Sequence, residues 1–304
     1  MIRVLVVGYG SIGQRHARIL SDLGCKVAVV TQQTTEAMTI YSELSEALDT
    51  LSPDYVVIAV ETARHVEILE ALARLGYRGK LLVEKPLSDT QYTSPSGIFA
   101  RLAVAYNLRF HPVLSALRAR LAGVEVLAVD VRAGQHLAEW RPDRDFRQTY
   151  SAFREQGGGV LRDLSHELDY LLWLFGPWRR VAALGGSLGA LQIDADEHYS
   201  ALMVMAQAPV VQLRLSYLDR PARREIVVTT RDATLTADLM AGTLGVDGVI
   251  AHYECDRDTS YRAMHLAMLE DEGGILCSAA EGTAVGGLVA ALEQAAAINV
   301  WVAA

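Results

Sequence analysis

The sequence predicts an α/β protein of two domains: a parallel-sheet domain over residues 1–112, then a second α/β domain over residues 113–304 with a large, mostly antiparallel open sheet. Three observations predict it. At 304 residues the chain is long for one hydrophobic core and comfortable for two. Over residues 1–106 short apolar runs alternate with helical patterns, which implies a parallel sheet with right-handed crossovers. After Pro112 the rhythm changes, and residues 181–253 give successive strands joined by short turns, the pattern of an open antiparallel sheet.

Each element follows from local pattern. Residues 3–7 are an apolar run that meets glycine at once, as a fully buried parallel strand does. A helix over 12–23 is ended by Gly24, a strand follows over 26–31, and a helix over 42–51 is stopped by Ser52-Pro53. Residues 55–60 form the next strand, and Thr62 is placed to cap a helix over 63–75. Strands over 80–83 and 101–106 complete the domain. In the second domain, a helix over 113–121 leads to a strand over 124–132 and a polar loop over 134–156. A single helix over 159–175 closes at Gly176-Pro177. Strands are expected over 181–188, 198–206, 210–217, 225–230 and 234–239, and an alanine-rich terminal helix, able to pack back on the first domain, over 284–304.

Composition narrows the function classes. Half the residues are hydrophobic (51%) and 21% are charged, the balance of a folded globular chain. The net charge of −8, with no long basic run, argues against a nucleic-acid partner. Cys25, Cys255 and Cys277 are sparse and widely spaced, which suits reduced thiols in the cytoplasm, and no metal is expected. The apolar run 4–7 is broken by Gly8, too soon for a signal-peptide core. Glu293, Gln294 and Asn299 interrupt the one apolar stretch long enough to consider as a membrane span, so no membrane partner is expected.

The strongest chemical signal is Gly8-Tyr9-Gly10-Ser11-Ile12-Gly13, a G-x-G-x-x-G pattern between a strand and a helix. Gly8 permits the tight turn, Gly10 lets backbone approach a pyrophosphate, and Gly13 lets helix and strand pack closely. Ser11 and Ile12 open the helix whose free N–H groups face the phosphate charge. This context makes the first domain a dinucleotide-binding Rossmann domain. An acid at the end of the second strand would grip the adenosine ribose of NAD, but the chain has Thr31 and Gln32, with neither acid nor arginine. NAD and NADP both remain open, with a lean toward NADP because no carboxylate repels its 2′-phosphate.

Four stretches in order then carry a resemblance. They are GYGSIGQRH at Gly8 to His16, Glu84-Lys85-Pro86, Tyr106-Asn107-Leu108-Arg109-Phe110-His111-Pro112, and Gly157-Gly158-Gly159 followed by Asp163, His166 and Asp169. With them the chain resembles the glucose–fructose oxidoreductase/inositol dehydrogenase (Gfo/Idh/MocA) family. The resemblance implies hydride transfer between a nicotinamide and a hydroxyl-bearing carbon of a sugar, aminosugar or related polyol. It further implies an open sheet that commonly forms the subunit interface, hence a homodimer or homotetramer. Lys85 matches the lysine the family uses at the reacting hydroxyl, and the Lys-Pro bond is commonly cis there. The chain departs from the family in placing His166 three residues after Asp163 where four is common.

The residues themselves fit such chemistry. Lys85 stands at a strand's C-terminal end, where ligands bind in open α/β sheets, and can favour developing negative charge on an oxygen. His166 is the general acid/base candidate, with Asp163 and Asp169 three residues to either side on one helix face. A surface ion-pair cluster is the bland alternative for that trio. His65 and Asn107 join Glu84 and Lys85 on the cofactor side, His65 alternatively serving as a local cap. Arg109, Trp140, Tyr150 and Asp169 are the substrate-side candidates, Arg109 alternatively fixing the domain junction. Two rival readings keep the fold: a dinucleotide-binding regulator without turnover, and a reductase of a non-sugar compound.

Overall fold

The computed structural model describes residues 1–33, 38–89, 92, 97–140, 142, 144–270 and 274–304. The first strand, β1 (Arg3–Val7), holds Val4, Leu5 and Val6 fully buried, each such side chain contributing about 1.5–3 kcal/mol. In chain order follow α1 (Ser11–Asp22), β2 (Lys26–Val30), β3 (Thr39–Tyr41), α2 (Leu44–Leu51), β4 (Tyr55–Ile58), α3 (His65–Arg74), β5 (Lys80–Val83) and β6 (Arg101–Val104). These strands pair in parallel in the order β6-β5-β4-β1-β2-β3, so the winding reverses at β1. A crevice at such a reversal, beyond the strands' carboxyl ends, is where open α/β sheets bind ligands. Thr62 does not cap α3: it opens a 3-10 turn, Thr62–Arg64, and neither helix start has a side-chain cap.

The middle of the chain forms a second sheet. Pro112 opens α4 (Pro112–Leu121), where its missing N–H costs nothing, and His111 accepts from the Val113 N–H. Then come β7 (Val126–Gly134), α5 (Leu137–Trp140), α6 (Val160–Asp163) and α7 (Ser165–Phe175). The single helix expected over 159–175 is thus two, because Leu164, at φ −97° and ψ 29°, leaves the helical conformation between them. Seven strands follow: β8 (Trp178–Gly186), β9 (His198–Met205), β10 (Val211–Ser216), β11 (Arg223–Thr230), β12 (Thr234–Asp238), β13 (Thr243–Val246) and β14 (Val249–His252). Burial alternates along β9 and β10, as it does when one face of a sheet is packed and the other is open.

The last residues are α8 (Thr259–Leu269), β15 (Cys277–Ser278), α9 (Ala279–Ile298) and β16 (Val302–Ala303). Strand β15 adds to the first sheet beside β6, giving seven strands. Strand β16 adds to the second beside β8, giving nine in the order β14-β13-β12-β11-β7-β10-β9-β8-β16, antiparallel except for the β7–β10 pair. The chain accordingly forms two compact units, Met1–Asn107 with Arg257–Gly286, and Leu108–Asp256 with Gly287–Ala304. The sequence pattern put the divide at Pro112 and assigned everything beyond it to one domain. It allowed only the terminal helix to pack back on the first domain, and it did not see α8 and the two-residue β15 return there because they carry no long apolar periodicity. Among the described residues no helix is long and apolar enough to cross a membrane.

Candidate active site

In the first unit the site begins with backbone. Gly8 adopts φ +100°, and a Cβ there would lie 2.5 Å from the Ala59 carbonyl oxygen. A Cβ on Gly13 would lie 2.1 Å from the Gly8 carbonyl oxygen, so these two glycines are what lets α1 close on β1 and β4. A Cβ on Gly10 would meet nothing within 4 Å. Gly10 is also the N-cap of α1, with no side-chain cap and no acid in the first turn. The helix's first N–H groups, at Ser11, Ile12 and Gly13, are thus left for an outside acceptor. Together these features fit the pyrophosphate of a dinucleotide. Beyond β2, Thr31 Oγ1 accepts from the Gln33 N–H at 3.1 Å and Gln32 Nε2 donates to the Ser42 carbonyl at 3.3 Å.

At the end of β5, Glu84 and Lys85 precede a cis Lys85–Pro86 bond. Glu84 is buried, its Oε1 accepting from His16 Nε2 at 2.8 Å and its Oε2 from the Lys85 N–H at 3.0 Å. Burial alone would raise its pKa, but the hydrogen bond from His16 and the neighbouring Lys85 charge outweigh that and hold it below the usual carboxylate range. His65 is buried with its ring nitrogens 3.0 Å from the Pro86 carbonyl and 3.1 Å from the Val60 carbonyl. Burial pushes its pKa down against the upward pull of those carbonyls. It ties the turn after Lys85 to the exit of β4. Asn107 Nδ2 donates to Ser260 Oγ at 2.7 Å, fixing the start of α8.

In the second unit the site is made of side chains. Asp163 accepts from Tyr150 Oη at 2.9 Å and from Tyr217 Oη at 2.6 Å. Asp169 takes both Arg109 Nε and Nη2, at 2.9 and 2.7 Å, with both side chains almost wholly buried. The three helix residues expected on one face are therefore divided: Asp163 ends α6, whereas His166 and Asp169 lie on α7. Trp140 sets its ring edge-on to Tyr217, centroids 5.3 Å apart, and its buried Nε1–H has no hydrogen-bond partner among the described residues. Beside Tyr150 a polar cavity of about 460 Å³ is lined by Arg144, Asp145, Gln148 and Thr149. Tyr217 and His16 are the partners that the sequence did not single out. Tyr217 lies 54 residues from Asp163, and His16, though within the first matching stretch, resembles any buried helical histidine.

An uncapped helix behind a glycine turn, at the reversal of a parallel sheet, defines a dinucleotide-binding protein of the Rossmann class. Residues 2–96 match the oxidoreductase family with an NAD-binding Rossmann fold, and residues 125–236 match the GFO/IDH/MocA C-terminal domain. The chain belongs to the Gfo/Idh/MocA oxidoreductase family. No curated protein sequence matches it. Among solved structures it is similar to a levoglucosan dehydrogenase in complex with NADH (TM-score 0.85, 16% identity, covering 99% of this chain and 98% of that one). It is also similar to GenD2 from gentamicin A biosynthesis in complex with NAD (0.82, 22%, 100% and 96%). A third is the WlbA dehydrogenase from Bordetella pertussis, in complex with NADH and UDP-GlcNAcA (0.80, 19%, 100% and 97%). At these identities the likeness is one of fold.

Proposed function

We propose that the enzyme transfers hydride between a nicotinamide dinucleotide and a hydroxyl-bearing carbon of a sugar, aminosugar or related polyol. The observation that carries this reading is Lys85 at the carboxyl end of β5, next to the ionised Glu84 and in the unit that holds the glycine cradle. When bound, the nicotinamide supplies the hydride acceptor or donor. Lys85 hydrogen-bonds the reacting oxygen and favours its developing negative charge. His166 takes the hydroxyl proton, as an imidazole can near neutral pH. Asp163 fixes Tyr150 and Tyr217, while the Arg109–Asp169 pair holds α7 in place. The indole N–H of Trp140, without a hydrogen-bond partner among the described residues, offers a donor to a ligand hydroxyl, which favours a polyol over an apolar substrate. Three similar folds, named as a levoglucosan dehydrogenase, GenD2 of gentamicin A biosynthesis and WlbA with a UDP-sugar acid, support the same class.

Against the lean toward NADP drawn from the missing carboxylate, NAD is the dinucleotide used, and NADP is tolerated. Thr31 and Gln32 bring no charge to repel a 2′-phosphate, and residues 27–63 contain no lysine or arginine to hold one. Rates with each dinucleotide against a polyol panel, for the wild type, Lys85→Ala and His166→Ala, test the whole assignment. Each variant should lose on the order of 10²–10³ in turnover while binding dinucleotide as before. Unchanged turnover in both variants removes the assignment.

The open face of the nine-stranded sheet serves a second copy of the chain. It carries exposed Leu184, Leu202 and Trp301 around a groove of about 550 Å³, with Asp130 beside Arg132 and Arg214, so both signs of charge needed to pair with a copy of itself are present. Light scattering should give a dimer or tetramer that Leu184→Glu dissociates; a wild-type monomer overturns this.

A further inference from the structure

Behind Glu84 runs a line of buried polar groups. His16 Nδ1 lies 2.8 Å from His265 Nε2, and His265 Nδ1 lies 3.0 Å from Tyr55 Oη. Tyr55, His16 and His265 have no exposed surface. Four elements contribute: Tyr55 starts β4, His265 is on α8, His16 on α1, and Glu84 follows β5. Helix α8 is held in register from β5 itself, because Lys80 Nζ donates to the Met268 and Leu269 carbonyls at the helix's C-terminal end. The residue that opens β5 thus anchors the helix whose histidine backs His16, the partner of the glutamate that follows β5.

Proton counting gives the line a direction. Burial, with His16 alongside, pushes the His265 pKa well below its ordinary value, so His265 is neutral and carries one N–H. Burial keeps the Tyr55 phenol protonated. Glu84 is ionised and only accepts, so His16 Nε2 carries a proton. With the His16 proton on Nε2 toward Glu84, its Nδ1 accepts from His265 Nε2–H, and His265 accepts at Nδ1 from Tyr55 O–H. Each of the three contacts holds one proton, pointed toward Glu84. A second proton on His16 would reverse the two inner bonds and leave the buried Tyr55 hydroxyl with no acceptor among the described residues.

We propose that His265, backed by Tyr55, is a positioning residue for Lys85: it fixes the His16 tautomer that donates to Glu84, and so holds Glu84 ionised and oriented on Lys85. The proposal rests on the role assigned to Lys85 above. The other titratable groups near the line are Tyr261 on α8 against the His16 ring, Arg15 stacked on Tyr261, and Cys25 and Tyr77 near Tyr55. None of them bridges His265 to Glu84.

Two readouts test this. In the full chain labelled with ¹⁵N-histidine, free of dinucleotide at about pH 8, above the ordinary histidine pKa, long-range ¹H–¹⁵N correlations should show His265 and His16 both neutral and both protonated at Nε2. An Nδ1-protonated His265, or a doubly protonated His16, overturns the proposal without reference to activity. In kinetics, His265→Phe should lower kcat on the order of tenfold or more and leave the dinucleotide KM unchanged. Its acid limb should move to higher pH, since Glu84 then protonates more readily. His265→Gln, whose amide can donate to His16 and accept from Tyr55, should restore most of the wild-type profile. If His265→Phe fails to fold, Tyr55→Phe should shift the limb in the same direction by less. An unmoved limb in the folded variants overturns the proposal. If Lys85→Ala still abolishes turnover in that case, this inference alone has failed; if Lys85→Ala is active, the role of Lys85 has failed instead.

Discussion

The two units build their sites from different materials. In the first, the cradle is backbone: Gly8 and Gly13 are required because a side-chain atom would sit 2.5 or 2.1 Å from a carbonyl oxygen, and the helix end they expose is itself the binding group. In the second, everything is carried by side chains that reach one another across the sequence, Arg109 to Asp169 and Tyr217 to Asp163. A backbone site constrains which residue is absent, namely any Cβ. A side-chain site constrains which partners are present together. Any side chain at Gly8 or Gly13 meets a carbonyl oxygen in the first, whereas in the second a paired exchange should cost less than the loss of one partner.

The glycines give the largest expected effects. Gly13→Ala forces its methyl onto the Gly8 carbonyl, so it should lower the melting temperature and abolish measurable dinucleotide binding. Gly10→Ala meets nothing in the protein. It should therefore melt like the wild type while weakening dinucleotide affinity by roughly tenfold or more, because the methyl stands where the pyrophosphate approaches. Fluorescence titration with NADH and a thermal melt separate the two. Equal melting loss in both variants would mean that Gly10 is structural and that the cradle lies elsewhere.

Next in size is the buried ion pair. Arg109→Ala leaves the Asp169 carboxylate, 1% exposed, without its bidentate partner, a loss of about 3–5 kcal/mol. Arg109→Met combined with Asp169→Leu removes both charges and should cost far less, since paired apolar replacements of buried ions are often neutral. Urea unfolding of the three variants checks this. If the double variant is as unstable as the single, α7 depends on the packing of Arg109 against Trp173, whose ring lies 5.7 Å away, more than on the pair.

The same difference decides what the sequence reveals. The cradle is legible because three glycines stand at fixed spacing between an apolar run and a helix, and one of their steric demands, Gly13 against the Gly8 carbonyl, acts within six residues. Strands β1, β4 and β5 are legible for a related reason, being short apolar runs that are almost wholly buried, whereas the partly exposed edge strand β3 and the two-residue β15 are not. The partition of Asp163 from His166 was not legible: both lie within one helical pattern, and only the conformation of Leu164 separates them. Nor was α8 legible as part of the first unit. Its links, such as His265 to His16, 249 residues away, and Lys80 to the Met268 carbonyl, 188 away, join distant partners that no local periodicity encodes. The substrate side was visible only as residue types in order, and their pairing required coordinates.

The smallest and sharpest test sets one buried carboxylate of each unit against the other. Glu84 lies below the usual carboxylate range, so its charge stabilises the fold above its ordinary pKa of about 4.3, and that stabilisation is lost as pH falls through its lowered folded value. Asp196 has the opposite sign. Burial raises its pKa, the Leu161 N–H and Arg162 offset this only in part, and its Oδ1 has no hydrogen-bond partner among the described residues. Its charge therefore costs stability above the raised folded value, and the cost disappears as pH falls to its ordinary value of about 3.9. Glu84→Gln should lower the melting temperature at about pH 8, whereas Asp196→Asn, which replaces a buried carboxylate satisfied at only one oxygen by a neutral amide, should raise it slightly. Both differences should shrink toward zero on acidification. A loss in Asp196→Asn that grows as pH rises would mean that the charge is wanted, and that a cation of the second unit pairs with it.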